Sequence, residues 1–215
     1  MIDLHTHSLL SDGELLPSEL ARRAWRKGYA VIAITDHVDC SNIDFVLPRL
    51  VRVSKVLNKS WPIKVLPGVE ITHAPLEEIR RLVVYARRNG ARIVVGHGET
   101  LSEPVLEGTN RAFIEARADI IAHPGNISDK ELMLARKNNV YIEITTRRGH
   151  FACNKHVARA AKRLGANMVL DTDSHSPEDL ITDAYAVAFL KKLKMSGLDI
   201  KKIFNNSLAL AERKR

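Results

Sequence analysis

The sequence predicts an α/β fold in which seven parallel strands alternate with helices and close into one (β/α)7 barrel over residues 1–215. Short runs rich in Val, Ile and Leu alternate with longer segments of helical periodicity, which is the pattern of repeated βα units. No stretch rich in Gly, Pro or Ser divides the chain into domains. Seven consecutive units with nothing inserted between them favour a closed barrel over an open doubly wound sheet.

The predicted strands are, in order, MIDLHTH, AVIAITDH, IKVLPGVEIT, RIVVGHGE, DIIAHPG, VYIEITT and NMVLDTD. Between them lie the predicted helices PSELARRAWRKG, DFVLPRLVRVSKVLN, APLEEIRRLVVYARRNG, TNRAFIEARA, SDKELMLARKNN and NKHVARAAKRLG. Two more helices follow the last strand, PEDLITDAYAVAFLKKLKMSG and DIKKIFNNSLALAERKR. Capping residues such as Ser128 and terminal glycines such as Gly165 support these bounds. The irregular segment at 98–110 is expected to form a loop over the mouth.

Composition restricts the classes of partner. The net charge of +8 suits either nucleic acid or an anionic substrate. No basic stretch is interleaved with aromatic residues, which favours the simpler interpretation that Lys and Arg lie on solvated helix faces. The chain has neither a signal-peptide pattern nor an apolar run of membrane-spanning length, and Cys40 and Cys153 follow no zinc-finger spacing. These features predict a cytoplasmic protein without a membrane partner.

Histidines and carboxylates end six of the seven predicted strands: His5, His7, Asp36, His37, Glu70, His97, His123, Asp171, Asp173 and His175. His5 and His7 point to one side of their strand because side chains alternate with a period of two. The strand ends of a barrel meet at one mouth. So many titratable groups in one place are costly unless they are paired or bind metal. Imidazoles and carboxylates without a thiolate suit Zn, Mn or Fe, so a polynuclear metal site is predicted.

The motifs HTHSLLSDG, ITDH, GVE, AHP and DTDSH resemble, in order, those of the PHP (polymerase and histidinol phosphatase) family. The resemblance implies a distorted seven-stranded barrel with two to three divalent transition metals (Zn, Mn or Fe) at its mouth. It implies that the first metal has the ligands His5, His7, Glu70 and Asp173. It implies that Glu70 bridges to a second metal held by His97 and His123, and that a third is held by Asp12, His37 and His175.

Further polar residues near the mouth are expected to have other roles. His73 is expected to lie behind the ligands or on the surface, and Glu143 to pair with a basic residue. In TTRRGH, Arg147 and Arg148 are predicted to bind phosphate, because guanidinium groups bind phosphate with two hydrogen bonds. The alternative is that an arginine pairs with Glu143 or with an exposed acid. His150 is the candidate proton donor.

The resemblance implies a metal-dependent phosphoric ester hydrolase that uses metal-activated water, with Glu70 and Asp173 as catalytic residues. His150, as the candidate proton donor, is the third predicted catalytic residue. The first expectation is a stand-alone, histidinol-phosphatase-like enzyme that acts on a small phosphate monoester. Two alternatives stay open: a PHP-type phosphodiesterase or exonuclease that acts on nucleic acid, and a non-catalytic barrel that binds metal or RNA.

Overall fold

A computed structural model describes residues 1–213, in which a parallel sheet curls into a nearly closed barrel. The strands are β1 (Ile2–Asp3), β2 (Val31–Ile34), β3 (His37–Val38), β4 (Lys64–Ile71), β5 (Ile93–His97), β6 (Ile120–Ala122), β7 (Tyr141–Thr145) and β8 (Met168–Asp171). They pair in the order β1-β2-β4-β5-β6-β7-β8, with β3 also on β4. Every pairing is parallel, and the predicted fold class is confirmed.

Eight α-helices are found among the described residues: α1 (Pro17–Arg26), α2 (Ile43–Ser60), α3 (Leu76–Arg88), α4 (Thr109–Glu115), α5 (Asp129–Asn138), α6 (Asn154–Leu164), α7 (Asp183–Lys192) and α8 (Gly197–Glu212). The predicted cap at Ser128 forms a capping box with Glu131, which satisfies backbone N–H groups at the start of α5. Residues 214 and 215, the end of the last predicted helix, lie outside the described residues. No helix within residues 1–213 is long and apolar enough to cross a membrane.

Side chains that alternate between the two faces of the sheet form two apolar cores. Ile32 and Ile34 belong to the large cluster that the strands share with the helices. Val31 and Ala33 belong to a second cluster, which consists mainly of strand residues and lies inside the barrel. Residues of opposite parity on one strand face opposite sides of the sheet, so the longer strands contribute to both cores.

Two predicted elements are interrupted. The second predicted strand divides into β2 and β3, because the Asp36 carboxylate accepts hydrogen bonds from the backbone N–H and hydroxyl of Ser8 and from the Ser11 hydroxyl. The predicted helix at 177–197 divides into a 3₁₀ turn (Pro177–Asp179) and α7. Asp179 accepts a hydrogen bond from the backbone N–H of Ser176, and the two residues form a capping box at the start of the 3₁₀ turn. Both interruptions lie beside the mouth.

The seam between β1 and β8 is narrow but strongly hydrogen-bonded. Just beyond the two strands, the His7 N–H donates to the Ser174 carbonyl at 2.8 Å, and the Asp173 N–H donates to the His5 carbonyl at 2.9 Å. Below them, the Asp171 carboxylate accepts from the Leu4 N–H at 2.7 Å. These bonds hold residues 5–7 against residues 173–175.

Candidate metal centre

Eight of the nine histidines gather at the carboxyl ends of the strands: His5, His7, His37, His73, His97, His123, His150 and His175. Their rings are in contact; His7, for example, stacks on His37 at 4.2 Å and on His175 at 4.1 Å between centroids. The ninth, His156, lies on α6 with an exposed side chain.

The innermost donors have the spacing of a metal shell. Ligands at about 2.0–2.1 Å from a tetrahedral ion lie roughly 3.3 Å from one another. The Nε2 atoms of His5 and His7 are 3.0 Å apart, and the Oδ1 atom of Asp173 lies 3.2 Å from His7 Nε2 and 3.7 Å from His5 Nε2. All three residues are buried. These residues fit a divalent transition ion.

Glu70 lies at the centre of the mouth and is fully buried. Its Oε2 atom is 3.2 Å from His5 Nε2 and 3.4 Å from His7 Nε2, while Oε1 is 3.5 Å from His123 Nε2. Oε2 also lies 3.0 Å from His37 Nδ1, but within the described part of the chain neither oxygen accepts a hydrogen bond of good geometry. A buried carboxylate without hydrogen bonds is costly. Metal ions on both sides of the carboxylate would remove that cost.

The other predicted ligands form two further groups. The donor atoms of Glu70, His97 and His123 lie within 4.8 Å of one another, and so do those of Asp12, His7, His37 and His175. The Oδ2 atom of Asp12 is 3.2 Å from His175 Nε2. The structure thus brings the nine residues together in the predicted groups, and their role as ligands stays a prediction.

Gly13 explains why the first motif ends in glycine. A Cβ atom at this position would lie 2.4 Å from the carbonyl oxygen of His7, so any larger residue would displace the backbone there. The close approach folds the segment 8–13 back over the strand end and carries Asp12 to the mouth.

The charges of the site suit metal binding. Burial alone would raise the pKa of Glu70, but His5 and His37 hold it well below its usual range. Burial, followed by the nearby His37, lowers the pKa of His7 to about 3. Glu70 is therefore a carboxylate and His7 a neutral imidazole at neutral pH, which are states that bind metal. Against the effect of burial, Glu70 raises the pKa of His37 to about 9 and also raises the pKa values of His5 and His123, so these rings must release protons when ions bind.

Glu143 orients His5. Its Oε2 atom accepts a hydrogen bond from His5 Nδ1 at 2.6 Å, which directs the other ring nitrogen towards Glu70. The basic partner expected for Glu143 is thus a histidine of the site and not an arginine.

Replacing Glu143 with Gln is expected to weaken metal binding by about 10–100-fold. The neutral amide would fix the orientation of the His5 ring less firmly and would raise the basicity of the ring less than a carboxylate does. Competition with a chromophoric chelator measures the change. Glu115→Gln, which removes only an exposed partner of Arg111, is the matched control and should leave affinity unchanged. Equal affinity in both variants would contradict the assignment.

Three residues at the mouth adopt left-handed backbone conformations, which are unfavourable for residues other than glycine. The φ angles are 48° for His73, 27° for His123 and 52° for Asp173. Such strain of roughly 1–3 kcal/mol per residue persists only where the surrounding structure imposes it, commonly at functional sites. Here it turns the side chains at the ends of β4, β6 and β8.

The residues predicted for substrate binding lie at the edge of the mouth. Arg147 Nη1 donates to Asp179 Oδ2 at 3.1 Å, which is the pairing with an acid that the sequence left open. Arg148 is exposed and lines a groove of about 520 Å³ with Lys27. His150 Nδ1 lies 2.9 Å from Thr100 Oγ1, and the His150 ring is 4.6 Å from that of His123. The roles in phosphate binding and proton donation stay predictions.

Glu103 was not singled out from the sequence, yet it contacts three histidines. Its Oε2 atom lies 3.1 Å from His73 Nε2 and 3.2 Å from His97 Nε2, and its Oε1 atom lies 3.4 Å from His150 Nε2. The only sequence signal was its place in the loop predicted to cover the mouth.

A parallel barrel with grouped imidazoles and carboxylates at its strand ends defines the chain as an α/β barrel protein with a candidate metal centre. The chain belongs to the PHP domain family, whose model matches residues 3–152. An uncharacterized protein of Methanocaldococcus jannaschii is 44% identical over 209 residues, which cover 96% of this chain and 94% of that protein. A protein of Acetivibrio thermocellus named probable phosphatase is 28% identical over 195 residues, covering 81% and 79%.

Two solved structures share the fold. A chain of archaeal ribonuclease P, solved with mature tRNA, superposes with a TM-score of 0.74 at 18% identity and covers 97% of this chain and 90% of its own length. Histidinol phosphate phosphatase of Lactococcus lactis, solved with zinc, L-histidinol and phosphate, has a TM-score of 0.56 at 18% identity, with 97% and 93% covered. At this identity the likeness concerns the fold alone.

Proposed function

We propose that the protein is a metal-dependent phosphoesterase that hydrolyses a small phosphate monoester, in the manner of a histidinol phosphatase. The observation that carries the proposal is the buried Glu70 carboxylate, which faces imidazoles on both sides without a hydrogen bond. The family and the relative named probable phosphatase support it. The histidinol phosphatase fold neighbour supports a small monoester as the substrate.

Three groups of side chains would hold the ions. His5, His7 and Asp173 would bind the first, His97 and His123 the second, and Asp12, His37 and His175 the third, with Glu70 between the first two. Divalent transition ions in such a site supply Lewis acidity, which activates water and neutralises charge on the phosphoryl oxygens.

The protein's own groups would set orientation and proton transfer. Glu143 fixes the His5 ring, and burial of the ligands excludes bulk water from the strand ends. His150 would return a proton to the leaving alkoxide. Burial and the neighbouring His123 lower the pKa of His150, so the ring is neutral at neutral pH and would have to take up a proton before it could donate one.

A second candidate, hydrolysis of phosphodiesters in nucleic acid, is supported by a basic surface on α1. A groove of about 460 Å³ is lined by Arg22, Arg23, Arg26 and Lys27, with no acidic residue among its lining side chains. It adjoins the groove that contains Arg148, since Lys27 and Leu180 line both. Such a basic surface attracts polyanions.

One screen tests these candidates. The purified chain is reconstituted with Mn, Fe or Zn and assayed against phosphomonoesters, including histidinol phosphate, and against short oligonucleotides. We expect metal-dependent release of phosphate from at least one small monoester. Turnover of oligonucleotides alone would replace the proposal with the second candidate. Salt-sensitive RNA binding without any turnover would indicate a non-catalytic barrel.

Both Arg147→Ala and Arg148→Ala are expected to leave metal content unchanged. For the arginine that contacts phosphate, kcat/KM should fall by an amount that corresponds to roughly 1.5–3 kcal/mol of lost transition-state stabilisation. Lys at that position should restore only part, since an ammonium cannot make the two-pronged contact. Steady-state kinetics with a monoester and a diester measure the change, which should be larger for the dianionic monoester.

Asp179→Asn is the companion variant, because it frees Arg147 from its carboxylate partner without removing the guanidinium. Wild-type kinetics in both alanine variants would assign the two arginines to solvated surface.

A further inference from the structure

Outside the three groups described above, His73 and Glu103 converge with His97 at the edge of the mouth. We propose that these three residues form a fourth metal site, the rim site, which binds one divalent transition ion such as zinc. The proposal goes beyond the proposed function, because neither His73 nor Glu103 is needed for the chemistry of the inner groups.

The donor spacing is that of a coordination shell. Ligands around a tetrahedral zinc ion lie roughly 3.3 Å apart. Glu103 Oε2 lies 3.1 Å from His73 Nε2 and 3.2 Å from His97 Nε2. The donor atoms of all three residues lie within 4.8 Å of one another. One oxygen atom therefore faces two ring nitrogens at the distances that a shared ion requires.

The chemistry of the donors and their exposure also suit an ion taken up from solution. Two imidazoles and one carboxylate form a common zinc donor set that leaves a position for water. The side chains of His73 and Glu103 are 44% and 33% exposed, whereas that of His97 is buried at 3%. An ion can thus approach from solvent and reach His97 from outside.

His73 is positioned by its backbone. Its φ angle of 48° is unfavourable for histidine, and the left-handed conformation directs the side chain to the loop that carries Glu103. Residues 73 and 103 come from different segments, after β4 and after β5, so no local turn accounts for their meeting.

The rim site shares one residue with the inner groups. His97 also belongs to the group of Glu70 and His123. A neutral imidazole offers one lone pair. An inner ion that holds His97 therefore leaves the rim ion with His73, Glu103 and water as ligands, so we expect the rim ion to be the weaker one and to require excess zinc.

Equilibrium dialysis against excess zinc tests the proposal in solution. Wild type is expected to bind about one zinc ion more per chain than His73→Ala or Glu103→Gln, which remove donors from different segments. His156→Ala, which removes an exposed histidine on α6, should bind as much zinc as wild type. Thermal melting of each variant checks that it is folded.

Anomalous diffraction from zinc-soaked crystals locates the ion independently of turnover, so a failure of the proposed function does not affect this readout. A peak about 2.0–2.2 Å from His73 Nε2 and a Glu103 oxygen is expected. Equal zinc content in wild type and both rim variants, or a peak in crystals without a difference in solution, would overturn the rim site. The contacts of Glu103 with His73 and His97 would then be ion pairs.

Discussion

The Glu70→Gln variant should lose bound metal. Its kcat/KM should fall by at least about 10³-fold, which corresponds to about 4 kcal/mol of transition-state stabilisation. The oxygens of Glu70 face His5 and His7 on one side and His123 on the other, at 3.2–3.5 Å. Asp173 faces the same histidines at 3.2–3.8 Å. The amide keeps the shape but removes the charge that holds two ions. Elemental analysis and steady-state kinetics on the same preparation measure both effects.

The control is Glu178→Gln, at an exposed position on the 3₁₀ turn beside the mouth. This variant makes the same chemical change at a residue that is not a proposed ligand, so it should keep its bound metal and its kcat/KM. Full metal occupancy with a near-normal rate in Glu70→Gln would mean that Glu70 does not bridge the ions.

Removal of metal with a chelator is expected to abolish activity and to lower the melting temperature by roughly 8–16 °C. The reason is linkage: an ion at about 1,000 times its dissociation constant stabilises the folded state by about 4 kcal/mol, and each kcal/mol shifts Tm by about 2–4 °C at this chain length. Without ions, the buried donors of His5, His7 and Glu70 face one another uncompensated. Scanning calorimetry and elemental analysis, with two to three ions per chain expected as purified, measure the effect.

Readdition of Mn, Zn or Fe should restore both the melting temperature and the activity. The same chelator treatment of Glu70→Gln should have a smaller effect, because that variant is expected to lack the ions on either side of Glu70 already. Identical melting curves for treated and untreated wild type would contradict a structural contribution from bound metal.

The strands and the convergence of the predicted ligands could be read from the sequence because they depend on local patterns. Short apolar runs predicted the strands, and a parallel barrel brings strand ends together whatever the loops do. Nothing more was needed to place His5, Glu70 and Asp173 at one mouth.

Other features could not be predicted because they depend on contacts between distant segments. Glu103 meets His73 and His150, which lie 30 and 47 residues away in sequence, only after the barrel closes. The break after β2 likewise depends on Asp36 bonding to Ser8 from another strand end. The Arg147–Asp179 pair forms only once the loops after β7 and β8 lie side by side.

The β1–β8 seam has a consequence for the order of folding. The bonds between residues 5–7 and 173–175 close a loop of about 170 residues, and closing so long a loop costs roughly 4–5 kcal/mol of chain entropy. Contacts of such long sequence separation form late. His5 and Asp173 therefore come together only after the intervening strands have paired, so the nascent chain has no complete metal site until its last strand has been synthesised.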